Sequence, residues 1–341
     1  MKYSNKTIFF IGNLDSNLFR IRLDEITRGL NTTNYVIINT SRKKLINVIK
    51  FIFDSFKIVF HCLFISNTKI IFHGAYNSIL WLLVLINKTY VISILQGSEL
   101  EKDYTKYRSF FIDLILKKSK LIVCRNQNQI SFLNKNLNHE KNNKIIVHWG
   151  LNKKLFNLKK TKFYESINFI SPRASQNEYN INVIFDAVKI IKDKYPHIRF
   201  TYVKFNSNIK LKNHKIADEI LVRPNQYDLW NELVNSDISI SIPKYDGLSN
   251  TVLESLALGN FLILSNLDSY QFIKDKNFLG AFIKIGNNYE KNVRSLYLML
   301  EKIINDIQNI RLNSNKRRQF IKKKYLNKIN FQYMLEIIKK V

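Results

Sequence analysis

The chain reads as an α/β protein built from two successive doubly wound parallel sheets, and three observations lead there. Its 341 residues are too many for one ordinary core and suit two domains of roughly 150 residues each. Short β-branched or aromatic runs alternate with longer stretches of helical periodicity, the pattern of βαβ units. That alternation then restarts after a polar, lysine-rich stretch at 151–162.

In the first half the strands are predicted at Thr7–Ile11, Tyr35–Asn39, Lys69–Phe72, Tyr90–Leu95, Leu121–Cys124 and Lys144–His148. Helical patterns lie between them, including Arg20–Gly29 with Gly29 as its closing residue. The run Ile79–Ile86 reads as a buried helix, because it falls short of the ~18–20 apolar residues that span a bilayer. In the second half the strands are Ile167–Ile170, Arg199–Val203, Glu219–Leu221, Ile238–Ile242 and Phe261–Leu264. Helices at Ile181–Lys194, Gln226–Asn235 and Val252–Ala257 separate them. The expected division is 1–157, 158–325 and a terminal helix at 326–341 that packs back on the first domain. Ligands of doubly wound sheets bind beyond the carboxyl ends of the strands, so function belongs to the loops there.

Composition narrows the class. Gly (9) and Pro (4) are too scarce for long flexible linkers. Lys plus Arg number 54 against 26 Asp plus Glu, a formal charge of +28. Such a surplus suits nucleic acid, an anionic membrane or phosphorylated small molecules, although Lys, Asn and Ile enrichment accounts for part of it. Cys62 and Cys124 lie in apolar runs without the spacing of a disulfide framework or a zinc site, so they read as free thiols in a reducing cytosol. The opening MKYSNKTIFFIGN reads as a first strand, not a leader. The expected location is cytoplasmic, free or lying on a membrane.

The segment richest in chemistry is 238–259. Ile238–Ile242 is a strand that Pro243 ends. Asp246, Gly247, Leu248, Ser249 and Asn250 form a turn, and a helix follows that closes at Gly259. Ser249 or Asn250 is a natural N-cap. The unpaired N–H groups of the first helical turn, near Thr251, then make an anion site suited to a phosphate. Glu254 follows about one turn later, where a carboxylate suits the vicinal hydroxyls of a ribose. Asp246 lies eight positions before Glu254 and can face the sugar end of the same ligand.

The stretch YDGLSNTVLESLALGNFLILSN resembles the donor-site motif of retaining GT-B glycosyltransferases of the GT4 type: an acid, seven residues, a Glu, then a helix ending in Gly and a strand. Segments 147–156, 167–173 and 192–199 resemble the family's hinge, the strand that delivers a diphosphate-binding Arg, and the turn that follows. Gln96 and Gly97 resemble the start of its acceptor loop. The resemblance implies a GT-B fold, two Rossmann-like domains facing a central cleft. It also implies sugar transfer from a nucleoside-diphosphate sugar, with Arg173 on the diphosphate and neither metal nor cofactor. The implied acceptor is a glycan, polyprenyl-linked, as in bacterial surface polysaccharide (O-antigen or capsule) synthesis.

The chain departs from the family at three places. Asp246 stands where Glu is usual. Gln96 replaces a His and cannot titrate. The Lys expected to assist Arg173 falls at Tyr179, so either another basic residue substitutes for it or Tyr179 and Asn180 donate hydrogen bonds to the diphosphate. His73, at a strand end, is a candidate contact for acceptor or donor, with a structural role as the other reading. Asn13 and Asn17, in a first loop without paired glycines, are further candidates.

The stretch Leu45–Phe64 mixes aromatics with Lys50 and Lys57 after a basic run at 42–44. It can lie on an anionic membrane, or be a core helix with a solvated face. Lys316-Arg317-Arg318 and Lys322-Lys323-Lys324 read as the solvated face of the last helix. Two other functions compete with glycosyl transfer. A nucleic-acid-binding protein lacks its helix-turn-helix or aromatic–basic motif here. A nucleotide-sugar epimerase on the same fold needs further acid–base groups that cannot be placed.

Overall fold

A computed structural model describes residues 8–14, 17–32, 35–40, 45–64, 68–74, 89–95, 100, 106–137, 143–147, 151–160, 165–173, 177–204, 214–246, 249–325 and 329–340. The chain forms two compact units, Met1–Trp149 with Lys328–Val341, and Gly150–Asn327.

The first unit holds strands β1 (Ile8–Gly12), β2 (Tyr35–Asn39), β3 (Thr68–His73), β4 (Thr89–Ile94), β5 (Ser119–Cys124) and β6 (Asn143–Ile146). They pair in parallel in the order β2-β1-β3-β4-β5-β6. Its helices are α1 (Asn17–Leu30), α2 (Leu45–Phe64), α3 (Lys106–Lys118), α4 (Gln127–Leu137) and, from the far end of the chain, α12 (Ile329–Lys340). Alternation along β1 explains the layering. Phe9 and Ile11 pack with Phe51 and Ile58 of α2, Ile112 and Ile115 of α3 and Leu133 of α4. Ile8 and Phe10 pack with Phe19 and Ile26 of α1 and Met334 and Leu335 of α12. A sheet covered on both faces needs apolar residues at every strand position, which is why β1 reads as a continuous apolar run.

The closing role assigned to Gly29 is corrected. Helix α1 runs on to Leu30 and is followed by Asn31 in the left-handed region at φ 51°. Gly29 instead admits α12, since a Cβ there would lie 2.3 Å from Leu335 Cδ1. Lys69 of β3 donates to the carbonyl oxygens of Ile338 (2.8 Å) and Lys339 (3.3 Å), tying down the last turn of α12.

The second unit holds β7 (Ile167–Ser171), β8 (Ile198–Lys204), β9 (Glu219–Val222), β10 (Ile238–Ser241), β11 (Phe261–Ser265) and β12 (Gly280–Ile283). Its helices are α5 (Ile181–Lys194), α6 (Gln226–Asn235), α7 (Asn250–Ala257), α8 (Gln271–Lys274), α9 (Tyr289–Asn305), α10 (Ile307–Leu312) and α11 (Ser314–Tyr325). The strand order is β12-β11-β10-β7-β8-β9, again parallel. Helices α5 and α9 cover one face, and α6, α7 and α11 the other. Leu151 and Leu155 are buried in that second core, so the first residues of this unit precede the expected boundary at 157/158.

Strand β12 has no counterpart in the sequence reading. His148 and the run 79–86 lie outside the described residues. Arg317 is corrected too: read as part of a solvated face, it is 1% exposed. Among the described residues no helix is long and apolar enough to cross a membrane.

Candidate functional site

The order of the second sheet fixes where a ligand can enter. From β7 the chain crosses to β8 on one side, and from β10 to β11 on the other, although β7 and β10 are neighbours. The loops that leave them therefore part and open a crevice at their carboxyl ends. Two hydrogen bonds stitch the loops together. Asn180 Nδ2 donates to the Ile242 carbonyl (2.7 Å), and the Lys244 N–H donates to the Glu178 carbonyl (2.7 Å). Asn180 does this from the left-handed region, φ 50°, which asparagine tolerates better than most residues.

Arg173, two residues past β7, reaches across to the loop after β10. Its Nη2 lies 3.1 Å from Asp246 Oδ2, and its Nη1 donates to Ser249 Oγ. Its guanidinium carbon sits 4.4 Å from the centre of the Tyr179 ring. Tyr270, fully buried just beyond β11, donates its hydroxyl to the same Asp246 oxygen at 2.7 Å. Burial opposes the Arg173 charge, but Asp246, Tyr179 and Tyr270 together outweigh it and hold the guanidinium above its ordinary value. Burial, then Asp246, keeps the Tyr270 hydroxyl well above the usual phenol range, so it remains a donor.

Ser249 is the N-cap of α7, with its Oγ accepting from the Thr251 N–H at 3.2 Å. Ser255 Oγ donates to the Thr251 carbonyl (2.8 Å) and lies within hydrogen-bond distance of Ser239 Oγ (3.1 Å), fixing α7 against β10. The helix ends as expected, with Gly259 at φ 96°. Asn250 and Thr251 open the helix, both half-buried. Gly247 and Leu248 lie outside the described residues.

Glu254 belongs to a neighbouring group. Its carboxylate accepts from Gln226 Nε2 at 3.2 and 3.1 Å, from the first residue of α6. Burial pushes its carboxyl up to about 7, against the pull of the Trp230 indole and the Gln226 amide. The Trp230 N–H is buried and meets no acceptor at ordinary hydrogen-bond geometry.

Tyr179 stacks on Arg173, and the Asn180 amide is spent on Ile242. Sequence reasoning missed Tyr270, Gln226 and Trp230. The available signal was position, since Gln226 and Tyr270 follow β9 and β11 at the same end of the sheet.

In the first unit His73 ends β3 but is buried. Its Nε2 accepts from Arg22 Nη1 at 3.0 Å, and the Phe19 ring packs 5.0 Å away. Burial, then Arg22 and Arg125, depresses its pKa to about 2. Its burial beside Arg22 fits the structural one of the two readings considered for it. Asn13 follows β1, half-buried, and Asn17 opens α1. Gln96 and Gly97 lie outside the described residues. Among the described residues no three His, Cys, Asp or Glu side chains are grouped to hold a metal ion.

No protein-family model matches the sequence, and no curated protein does. Solved structures do. Anabaena HepE, in complex with UDP-glucose, matches with a TM-score of 0.73 at 10% identity, over 98% of this chain and 100% of that one. A glycosyltransferase from Rickettsia africae ESF-5 matches at 0.69 and 16% identity, over 99% and 98%. The GtfA/B complex matches at 0.66 and 10% identity, and there the match covers 86% of this chain but 61% of that longer one. What the chain shares with these proteins is the fold, the two parallel six-stranded α/β sheets of the GT-B type.

Proposed function

We propose that this chain is a retaining glycosyltransferase that moves a sugar from a nucleoside-diphosphate donor to a glycan acceptor. The observation that carries the reading is the meeting of the Arg173 guanidinium with the Ser249-capped start of α7 at the switch point of the second sheet. A guanidinium binds phosphate oxygens through paired N–H groups, and a helix start adds the favourable end of its dipole. Glu254, one turn on, takes the ribose hydroxyls, and Asp246, held by Tyr270, faces the sugar.

In the reaction the bond from the anomeric carbon to the diphosphate breaks and the bond to the acceptor oxygen forms on the same face. The acceptor proton ends on the departing diphosphate. The protein's main task is to stabilise charge growing on that leaving group. Arg173 and the α7 N–H groups do this without a metal. HepE was solved with UDP-glucose, which makes a uridine donor the first to try.

The acceptor is a polyprenyl-linked glycan of the bacterial surface-polysaccharide kind, met at the cytoplasmic face of an anionic membrane. Helix α2 supports this. Phe51, Ser55, Ile58 and Cys62 face the core, yet Phe53, Phe56, Phe60 and Phe64 are exposed on the outer side, each above 60%. Apolar faces of that kind mark binding surfaces, and exposed Lys50 and Lys57 beside them suit anionic headgroups.

Thermal melts with UDP-, GDP-, dTDP- and ADP-sugars test the donor. Stabilisation by one nucleotide class supports the reading. No shift with any of them, together with salt-sensitive binding of nucleic acid, would favour the basic binding protein instead.

A further inference from the structure

The second unit holds a cavity of about 940 Å3 at the opposite end of its sheet from the donor loops. Asp237, which lines it, directly precedes β10, whereas Asp246 and Ser249 follow that strand. A volume of this order accommodates a small molecule and admits neither a duplex nor a bilayer.

Five cationic side chains line it: Lys159, Lys160, Arg311, Arg317 and Arg318. Among the described lining residues Asp237 is the one carboxylate. That carboxylate is already shared. Lys160 Nζ lies 2.8 Å from Oδ1, and Arg311 donates at 3.2 and 2.9 Å to its two oxygens. The two remaining arginines are anchored by carbonyl oxygens. Arg317 donates to Gly259 (2.8 Å), Phe278 (3.1 Å) and Ile310 (2.6 Å), and Arg318 to Phe156 (3.1 Å) and Leu158 (2.7 Å).

A carbonyl satisfies an N–H group but carries no net charge, so it cannot cancel a guanidinium in a buried place. The consequence is visible in both groups. Burial pulls Arg317 down to about 10, with Asp237 opposing, and lowers Arg318 as well. Positive charge is concentrated here beyond what the lining can neutralise, and four of the five cations are already held in place. A single phosphate does not offset five cations against one carboxylate, whereas two do so more nearly.

We infer that this cavity binds a small soluble anion carrying two or more phosphate groups, at a site separate from the donor crevice. Inorganic pyrophosphate is the probe. It is titrated calorimetrically into full-length protein carrying Arg173→Ala, which removes the guanidinium of the other site. The expected result is saturable binding of one equivalent that weakens with salt. Lys159→Gln and Arg318→Gln should each weaken it about tenfold, the worth of one charge-assisted hydrogen bond. Lys159 is exposed and its replacement leaves the fold intact, so this variant decides the matter should Arg318→Gln or Arg173→Ala melt early. In that event wild-type protein is compared with Lys159→Glu, which should take one equivalent fewer. Absence of binding in Arg173→Ala protein that melts normally, or titrations unchanged by the Lys159 substitutions, would overturn the assignment.

Discussion

Arg173 and Asp246 form an ion pair at 3.1 Å, and the carboxylate oxygen that Arg173 approaches is the one that accepts from Tyr270 at 2.7 Å. In the proposed donor site a phosphate arriving at Arg173 would compete with Asp246 for the guanidinium, and Tyr270 would still hold Asp246 when it loses. Removing that hydroxyl removes a hydrogen bond to a charged group, worth roughly 1.5–3 kcal/mol. Tyr270→Phe should lower kcat/KM for transfer by about tenfold or more while UDP binding changes little. Asp246→Asn should have a different signature, tighter binding of UDP alone with slower transfer. Calorimetry and initial rates on the two variants separate these outcomes.

In the proposed donor site Glu254 would confer a pH dependence. Its ordinary value of 4.5 is raised to about 7 by burial. A carboxyl raised on folding adds to stability below 4.5, and that contribution is lost as pH rises through about 7. Donor binding runs the other way, since two hydroxyls are best held by the ionised form. The Kd for a nucleoside diphosphate sugar should therefore weaken as pH falls from 8 to 6. Glu254→Gln should bind weakly at both ends and show no such slope.

The outward face of α2 should bind vesicles that contain anionic lipid and ignore neutral ones. Replacing Phe53, Phe56 and Phe60 together by Ser removes three aromatic anchors that pack on nothing in the core. Each is worth on the order of 1.5–3 kcal/mol when buried in an apolar phase. Co-sedimentation should fall by more than tenfold while the melting temperature stays the same or rises. A triple variant that sediments like wild type would place membrane contact elsewhere.

Gly259 closes α7 at φ 96°, and a Cβ there would lie 2.2 Å from Ser314 Oγ. Gly259→Ala should cost about 1–2 kcal/mol for the left-handed backbone alone, and the contact adds to it. A melting temperature several degrees lower, with UDP binding correspondingly weakened, is the expected result.

Much of this was legible in the sequence because local signals agreed with the fold. Tyr35–Asn39, Ile181–Lys194 and Gln226–Asn235 have the boundaries that periodicity and capping residues imply. Strand β12 escaped because Gly280-Ala281-Phe282-Ile283 is short, opens on Gly and does not alternate. At the site, Asp246 and Ser249 announce themselves by residue type beside a turn, whereas Arg173 is singled out only by the family resemblance. Tyr270 and Gln226 do not, since common residues acquire their roles only when the sheet order brings separate strand ends together. His73 shows the converse: a strand-end histidine looks chemical until its burial beside Arg22 is seen. Arg317 misled for a related reason, because a basic triplet on a helix gives no sign of which member turns inward.

The proposed role of Arg173 and the start of α7 is to hold the diphosphate of a sugar donor. Its most direct test is calorimetric titration of UDP-glucose, and then of the other nucleotide sugars, into wild-type, Arg173→Ala and Glu254→Ala protein. Saturable binding of one nucleotide class to wild type is expected, with a loss of at least about thirtyfold in either variant and melting curves showing both still folded. Equal affinity in all three proteins would contradict it.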